Sequence, residues 1–134
     1  MNPKIITSNH DILVTTPKAM SLSAKKEAMK CIAEGGGYYF RTFRNLPRDI
    51  KKGSRVFYLD GGYIRGFAIV HDFGDEPKRC EVTGIVFTGS HVIMDSTTWK
   101  WIKPIKQKGF QGFRYFGAQE VEIIGGWLDP MPAV

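Results

Sequence analysis

The sequence predicts an α+β fold that is mainly β, a small and partly open pseudo-barrel of short strands with one or two helices packed on it. Short segments rich in β-branched and aromatic residues recur along the chain, one segment alone has a clear helical period, and a glycine turn joins two apolar segments into a hairpin. With 134 residues, of which 43% are hydrophobic, the chain has the size of one domain with its own core. We therefore expect a single domain over residues 1–134.

The first part of the chain predicts one strand and one helix. Residues 11–16 (DILVTT) are apolar and β-branched, as in a buried strand, and Pro17 ends it. Residues 23–34 (SAKKEAMKCIAE) place small and apolar side chains on one helical face, with Ser23 as N-cap and Gly35 just beyond the last turn. This is the clearest helix signal in the sequence.

The middle of the chain predicts a strand, a turn and a hairpin. Residues 38–43 (YYFRTF) follow three glycines and have the composition of a strand, and residues 47–51 begin with a proline that suits a short helical turn. Two apolar segments, residues 55–59 and 63–70, flank an Asp-Gly-Gly turn. Because glycine permits the positive φ that tight hairpin turns require, these segments predict a β-hairpin.

The last part of the chain predicts further strands and one long loop. Residues 80–88, 91–94 and 121–124 have strand composition, and residues 75–78 form a polar loop. Residues 96–116 (STTWKWIKPIKQKGFQGFRYF) show no clean helical or strand period. We expect this segment to be a long loop with short pieces of structure, of the kind that often carries function in compact domains.

Arginines and aromatic rings interleave along the predicted strand at residues 38–43. Strand alternation places Tyr39, Arg41 and Phe43 on one face. Flat π faces beside fixed cations suit stacking of nucleobases and contact with phosphates. The alternative is that most of these rings fill the core and the arginines are only solvated.

A second group of rings and cations lies in the segment 96–116. Basic residues alternating with Trp and Phe suit a stacking surface beside a phosphate track, and the alternative is an irregular lid whose rings fill the core. Alternation leads us to expect either Trp99 or Trp101, but not both, to be substantially exposed. The two groups together predict a nucleic-acid site made of Tyr39, Arg41, Arg44, Asn45, Arg65, Trp99, Lys100, Trp101, Lys103, Phe110 and Arg114.

Charge and cysteine content limit the class of protein. A net charge of +6 favours an anionic partner, nucleic acid first, because neutralised phosphates release counterions. The only cysteines, Cys31 and Cys80, have no CxxC spacing, so we expect free thiols, no disulfide, no metal site and no cofactor. No apolar run is long enough for a membrane span, and residues 1–4 lack the apolar region of a signal peptide, so we expect a cytoplasmic protein.

Three short motifs resemble the PUA-like superfamily, and within it the ASCH and EVE groups. The motifs are Arg44-Asn45, the turn Gly53-Ser54-Arg55-Val56-Phe57-Tyr58, and the strand Gly66-Phe67-Ala68-Ile69-Val70, with Ser54 in place of the usual acidic residue. The resemblance covers about half of the chain. It implies a pseudo-barrel that binds RNA, in preference to DNA, or a modified or flipped base, in a cleft beside the aromatic and arginine-rich strand.

Two other functions remain open on the sequence. Some ASCH-like relatives are amidohydrolases that act on modified nucleosides, but the family turn that would carry their lysine is occupied here by Gly36, Gly37 and Tyr38. The resemblance therefore implies no catalytic residue at that position, and we expect no release of cytidine from acylated cytidines. The other reading is a phage or mobile-element accessory protein that binds another protein through the aromatic segment.

Overall fold

The computed structural model describes residues 2–15, 33, 37–79, 84–110, 112–130 and 132–133. Over these residues the protein is mainly β, and they form ten strands. The strands are β1 (Lys4–Ile6), β2 (Ile12–Thr15), β3 (Tyr38–Phe43), β4 (Arg55–Asp60), β5 (Tyr63–Gly74), β6 (Lys78–Arg79), β7 (Val86–Phe87), β8 (Ser90–Lys106), β9 (Phe113–Tyr115) and β10 (Glu120–Gly126).

Eight of these strands form one sheet that curls into a half-barrel. Its order is β1-β10-β8-β5-β4-β2-β9, and β3 pairs with β8 beside this path. Every pair is antiparallel except β2 with β4, which is parallel. Strands β6 and β7 form a separate two-stranded sheet.

The curl brings the two ends of this sheet order together. The connection from β1 to β2 exchanges backbone hydrogen bonds with the connection from β9 to β10: Thr7 N donates to Gln119 O over 2.8 Å and Phe116 N donates to Asp11 O over 2.9 Å. The Asp11 carboxylate is buried and accepts from the backbone N of Ser8 and Arg55 and from the Arg55 guanidinium. Asp11 therefore fixes the bend between β1 and β2 onto β4.

The predicted hairpin is β4 and β5. Asp60 and Tyr63 are paired across the turn, and Gly61 and Gly62 have φ of 60° and 84°. This is the left-handed conformation that two-residue hairpin turns need and that glycine adopts without steric cost. The register then shifts so that Arg65 is the extra residue of a bulge, since Leu59 pairs with Ile64 and Tyr58 with Gly66.

The core has two parts on opposite faces of the sheet. Successive residues of a strand point to opposite faces, and β2 and β4 supply buried residues to both. The first core cluster is Ile12, Val14, Phe43, Ile50, Val56, Ala68, Val70, Val92 and Met94. The second core cluster is Leu13, Phe57, Leu59, Ile64, Phe67, Ile102 and Val121. Burial on both faces explains why these strands read as continuous apolar runs.

The expected long loop at residues 96–116 is wrong for its first half. Residues 96–106 belong to β8, which pairs with β5 along its length, with β3 beside its first half and with β10 beside its second. Register shifts against β5 and β10 obscure the period of two in the sequence. Tertiary pairing therefore makes a strand of a segment whose local pattern is irregular.

Most of the other predicted strands are confirmed, and one predicted helical turn is not. Strands were expected at 11–16, 38–43, 91–94 and 121–124 and are found in β2, β3, β8 and β10, whereas the short β1 and β9 were not predicted. Residues 48–49 form a turn, closed by Ile50 N donating to Pro47 O, in place of the expected helical turn.

The helix expected at residues 23–34 lies outside the described residues except for Ala33, which is helical, and both cysteines lie outside them too. Of the strand expected at residues 80–88, residues 80–83 lie outside the described part and the rest includes β7. Within the described part of the chain, no helix is long and apolar enough to cross a membrane.

Candidate nucleic-acid interface

Strand β3 presents its alternate side chains to two different surroundings. It pairs with the first half of β8, from Tyr38 opposite Asp95 to Phe43 opposite Ser90. Phe43 is buried in the first core cluster, whereas Tyr38 is 59% exposed and its ring lies 4.3 Å from the His71 ring. The alternation expected for residues 38–43 is therefore confirmed, and the face of Phe43 is the inner one.

A cleft of about 340 Å³ opens where β3 ends. It lies between the last residues of β3, the two residues that follow them, and the beginning of β9. The described residues that line it are Arg41, Thr42, Phe43, Arg44, Asn45, Gly112 and Phe113. Three of the eleven predicted site residues, Arg41, Arg44 and Asn45, thus meet in one concave surface.

The two arginines of this cleft are held to different degrees. Arg41 is half-buried, and its Nη2 donates to the carbonyl oxygen of Thr15, the last residue of β2, over 2.5 Å. Arg44 and its neighbour Asn45 are exposed in the bend after β3. Arg41 is therefore fixed at the cleft by the sheet, while the Arg44 guanidinium can move toward an anion that arrives from solvent.

Phe113 supplies the aromatic wall of the cleft. It is half-buried, and its ring packs edge-on against the rings of Phe43 at 5.8 Å and Tyr115 at 5.5 Å. Gly112 precedes it with φ of 75°, and no atom lies within 4 Å of the position that a Cβ would take there. The left-handed glycine thus turns the chain into β9 and leaves open space in front of the cleft.

Gly112 and Phe113 were not among the predicted site residues. Both belong to the aromatic segment 96–116, in which the glycines on either side of Phe110 favoured that ring instead. The pairing of Phe113 with Val14 is what places its ring near β3. No local signal in the sequence shows this pairing, because it joins residues about a hundred positions apart.

The lining residues of the cleft give it a positive character. They include two guanidinium groups, one amide and one hydroxyl, and the described lining contains no carboxylate, imidazole or lysine amine. Guanidinium groups bind phosphate or carbonyl oxygens, and the Asn45 amide both donates and accepts. This set of groups can recognise an anionic or carbonyl-bearing ligand but does not itself supply a general base.

Arg65 does not belong to this interface. It is 9% exposed, and its Nη2 donates to the Pro132 carbonyl oxygen. The structure thus places Arg65 beneath the residues that follow β10, apart from Arg41 and Arg44. In the sequence Arg65 lies within an apolar strand segment, and nothing in that segment indicates that residues after β10 cover its side chain.

The expected exposure of one of the two tryptophans is also wrong. Trp99 and Trp101 are both half-buried, and their rings meet edge-on at 5.1 Å. Residues two positions apart lie on the same face of a strand, so alternation places these rings together and does not separate them. Trp99 packs on the first core cluster and on the Tyr58 ring, whereas Trp101 Nε1 donates to Asp129 O over 3.2 Å.

Four more of the predicted residues lie outside the lining of the cleft. Lys100 and Lys103 are exposed on β8, outside the lining. Phe110 packs on the second core cluster, and the exposed Arg114 stacks over it at 4.6 Å from the ring centroid. Tyr39 is placed on β3 by its backbone, opposite Met94. Among the described side chains, the structure therefore places three predicted residues in the cleft and the others outside it.

Two of the three histidines lie within hydrogen-bond distance of backbone carbonyl oxygens. His10 Nδ1 lies 3.0 Å from Asp49 O, and His91 Nδ1 lies 2.9 Å from Glu76 O. Over the described residues there is no group of three or more His, Cys, Asp or Glu side chains that could hold a metal ion.

Comparison with known proteins does not assign the chain to a family. No family model matches the chain, and neither a curated protein nor a solved structure matches it. The function must therefore be inferred from the geometry of the site.

Proposed function

We propose that the protein is a nucleic-acid-binding module that holds one unpaired nucleotide, RNA in preference to DNA, in the cleft between β3 and β9. The observation that carries the proposal is the convergence of Arg41, Arg44 and Asn45 with the Phe113 ring around one opening. Guanidinium groups at such a site bind phosphate, and an aromatic wall contacts the base.

The size of the cleft supports an unpaired nucleotide. A volume of about 340 Å³ is at the lower end of the range of about 300–1,000 Å³ that small-ligand sites occupy. A base that is already single-stranded can enter such a cleft without the cost of unpairing. The net charge of +6 adds a sequence-independent attraction for the phosphate backbone.

The proposed fold assignment is a PUA-like pseudo-barrel of the ASCH or EVE kind, with the helix of residues 23–34 packed on it. The curled sheet and the hairpin of β4 and β5 are compatible with this assignment. In the implied arrangement, the ligand lies beside the arginine-bearing strand, which is where the described cleft opens. A cytoplasmic location would give such a module access to RNA.

Binding is better supported than hydrolysis. A hydrolase acting on a modified nucleoside needs a nucleophile or a general base within hydrogen-bond distance of the reacting atom. The described lining offers one hydroxyl, that of Thr42, and no base to activate it.

The test compares two charge reversals of equal size. Arg44→Glu changes the cleft, and Arg79→Glu makes the same change at an exposed arginine on β6, outside the lining. Binding of a fluorescein-labelled single-stranded RNA of mixed sequence is measured by anisotropy over a series of NaCl concentrations. We expect Arg44→Glu to weaken binding on the order of tenfold, about 1.4 kcal/mol, and to flatten the salt dependence by about 0.7 for each phosphate that the variant no longer neutralises.

The control separates a specific site from general attraction. Arg79→Glu should weaken binding by less than about threefold, because it lowers the net charge without touching the cleft. Equal weakening by both variants would remove the cleft from the interface. A duplex of the same sequence that binds as tightly as the single strand would contradict the unpaired ligand.

A further inference from the structure

The Tyr115 ring continues the aromatic wall of the cleft along β9. Phe113 and Tyr115 are two positions apart on this strand, so their side chains lie on the same face. Their ring centroids are 5.5 Å apart, and Phe113 in turn packs on Phe43 at 5.8 Å. Phe113 is half-buried, whereas Tyr115 is 42% exposed. The row of rings thus runs from the core, past the cleft, to a ring that solvent reaches.

The exposed Tyr115 side chain is held from two sides. Its ring meets Phe113 edge-on, at an interplanar angle of 88°. Its hydroxyl accepts a hydrogen bond from the backbone N of Asp49 over 3.1 Å. A side chain that is fixed before a ligand arrives loses little conformational entropy when the ligand binds. Tyr115 is therefore a preorganised aromatic surface and not a freely rotating side chain.

The segment that binds the Tyr115 hydroxyl is the one that carries Arg44 and Asn45. Residues 44–50 run from the end of β3 to Ile50, which is buried in the first core cluster. Asp49 is also held at its carbonyl, since His10 Nδ1 lies 3.0 Å from Asp49 O. Tyr115 and these two polar lining residues of the cleft are therefore joined through one anchored segment.

The charge around this segment suits a phosphate backbone. Residues 44–52 (RNLPRDIKK) hold four cationic side chains and one carboxylate. All four cations are exposed: Arg44, Arg48, Lys51 and Lys52. Arg48 directly precedes Asp49, so its backbone lies beside the Tyr115 hydroxyl. Accessible rings beside an excess of cations are the arrangement that binds single-stranded nucleic acid.

The spacing and angle of the two rings favour a strand whose bases are splayed apart. Bases stacked on one another repeat at about 3.4 Å along a strand. The 5.5 Å between the Phe113 and Tyr115 centroids is longer, and the ring planes are nearly perpendicular. Two consecutive bases can therefore lie against both rings only when they are unstacked from each other, which is how proteins read single-stranded RNA. A duplex, whose bases stay stacked, does not fit both rings.

We infer that Tyr115 is a stacking site for the nucleotide next to the one held in the cleft. The inference rests on the proposed function and extends its ligand to at least two consecutive unpaired nucleotides. The first base contacts Phe113 and the second stacks on Tyr115. Arg48 is the cation beside the phosphate of the second nucleotide.

The test compares adenosine 5′-monophosphate with the dinucleotide pApA. NMR titration of the full chain gives both dissociation constants, because it also detects weak binding. Tyr115→Leu should weaken binding of pApA at least about fivefold, since stacking on one ring is lost, and should change binding of the mononucleotide by less than about twofold.

Two further tyrosine variants are the controls. Tyr115→Phe keeps the ring and removes only the hydroxyl, so it should keep most of the affinity for pApA. Tyr38→Leu makes the same change as Tyr115→Leu at a tyrosine that is 59% exposed and lies outside the lining of the cleft, and both affinities should stay unchanged. If Tyr115→Phe were as weak as Tyr115→Leu, the bond to Asp49 and not the ring would explain the loss, and the inference would be wrong.

The outcomes separate this inference from the function on which it rests. If Arg44→Glu weakens both ligands and Tyr115→Leu weakens neither, or weakens both equally, the cleft binds a nucleotide but Tyr115 is not a stacking site. If neither ligand binds the unmodified chain saturably, both proposals are wrong.

The unmodified chain decides if Tyr115→Leu does not give a native-like spectrum. The ring signals of Tyr115, assigned with Tyr115→Phe, should then move farther with pApA than with the mononucleotide, because only the dinucleotide places a base on that ring. Equal movement with both ligands would overturn the inference.

Discussion

The cleft at the end of β3 and the surface around Trp101 both combine arginine with aromatic rings. The cleft is open to solvent, whereas the surface around Trp101 is covered by another part of the chain. In the cleft, Arg44 is exposed and Arg41 lines the opening beside Phe113. Around Trp101, the neighbouring Arg65 is 9% exposed and donates to a backbone carbonyl of the same chain. An arginine next to an aromatic ring in the sequence therefore does not distinguish an open binding site from a covered one.

Strand position explains the difference. The cleft lies where β3 ends and the chain leaves the sheet, so side chains there have solvent on one side. Trp101 lies inside the sheet with β5 on one side and β10 on the other, and the segment after β10 crosses it. Pairing on both sides does not by itself bury a side chain, since Lys100 has the same two neighbouring strands and is exposed. The segment after β10 is what covers Arg65.

The largest effect is expected from Gly66→Ala, which tests how tightly the Trp101 region is packed. The added Cβ would lie 2.4 Å from the Trp99 ring and 2.5 Å from the Lys100 carbonyl oxygen, and the second of these atoms is backbone. We expect a loss of about 3 kcal/mol in the free energy of unfolding, measured by urea denaturation.

A second variant identifies the cause of that loss. Because the Lys100 carbonyl cannot move without disturbing β8, Gly66→Ala combined with Trp99→Ala should stay less stable than Trp99→Ala alone. Full recovery to the stability of Trp99→Ala would show that the ring, and not the strand spacing, limits this position.

A smaller effect is expected from a matched pair of arginine truncations, which tests the comparison directly. Arg65→Ala removes a buried donor and the packing of its stem, and should cost about 2 kcal/mol of stability. Arg44→Ala removes an exposed side chain and should change stability by less than about 0.5 kcal/mol. Denaturation and RNA binding are measured on both proteins.

Each variant should lower one of the two measured quantities, RNA affinity or stability, and leave the other nearly unchanged. Arg44→Ala should weaken RNA binding with stability nearly unchanged, and Arg65→Ala should do the reverse as long as the protein is folded. Weaker RNA binding by a folded Arg65→Ala protein would show that the segment after β10 leaves the sheet and exposes a second interface.

The smallest effect is expected from Trp99→Phe. The Trp99 Nε1 atom is buried and has no hydrogen-bond partner among the described residues. Burial of the indole N–H therefore costs desolvation free energy that no hydrogen bond offsets. Replacing the indole by a phenyl ring removes that donor but also some packing against Tyr58, and the net change in stability should be within about 1 kcal/mol. A loss above about 3 kcal/mol, as for deletion of a core aromatic ring, would mean that the N–H is satisfied in solution.

The sequence alone determined the elements whose signals are local. The hairpin of β4 and β5 was predictable because Gly61 and Gly62 permit the turn and apolar residues flank it on both sides. The apolar runs of β2 and β4 were predictable as strands because they are buried on both faces. Arg41, Arg44 and Asn45, which line one cleft, were predicted as a group because arginines and aromatic rings interleave along residues 38–45.

Only the tertiary structure decided which cations and rings share a surface. Phe113 reaches the cleft through its pairing with Val14, and Arg65 is covered by Pro132, and both contacts join distant parts of the chain. Trp99 and Trp101 lie in a strand because β5 and β10 pair with their irregular segment. A residue's own chemistry sets what it can bind, but whether it meets solvent, core or another segment depends on long-range pairing that no local pattern in the sequence records.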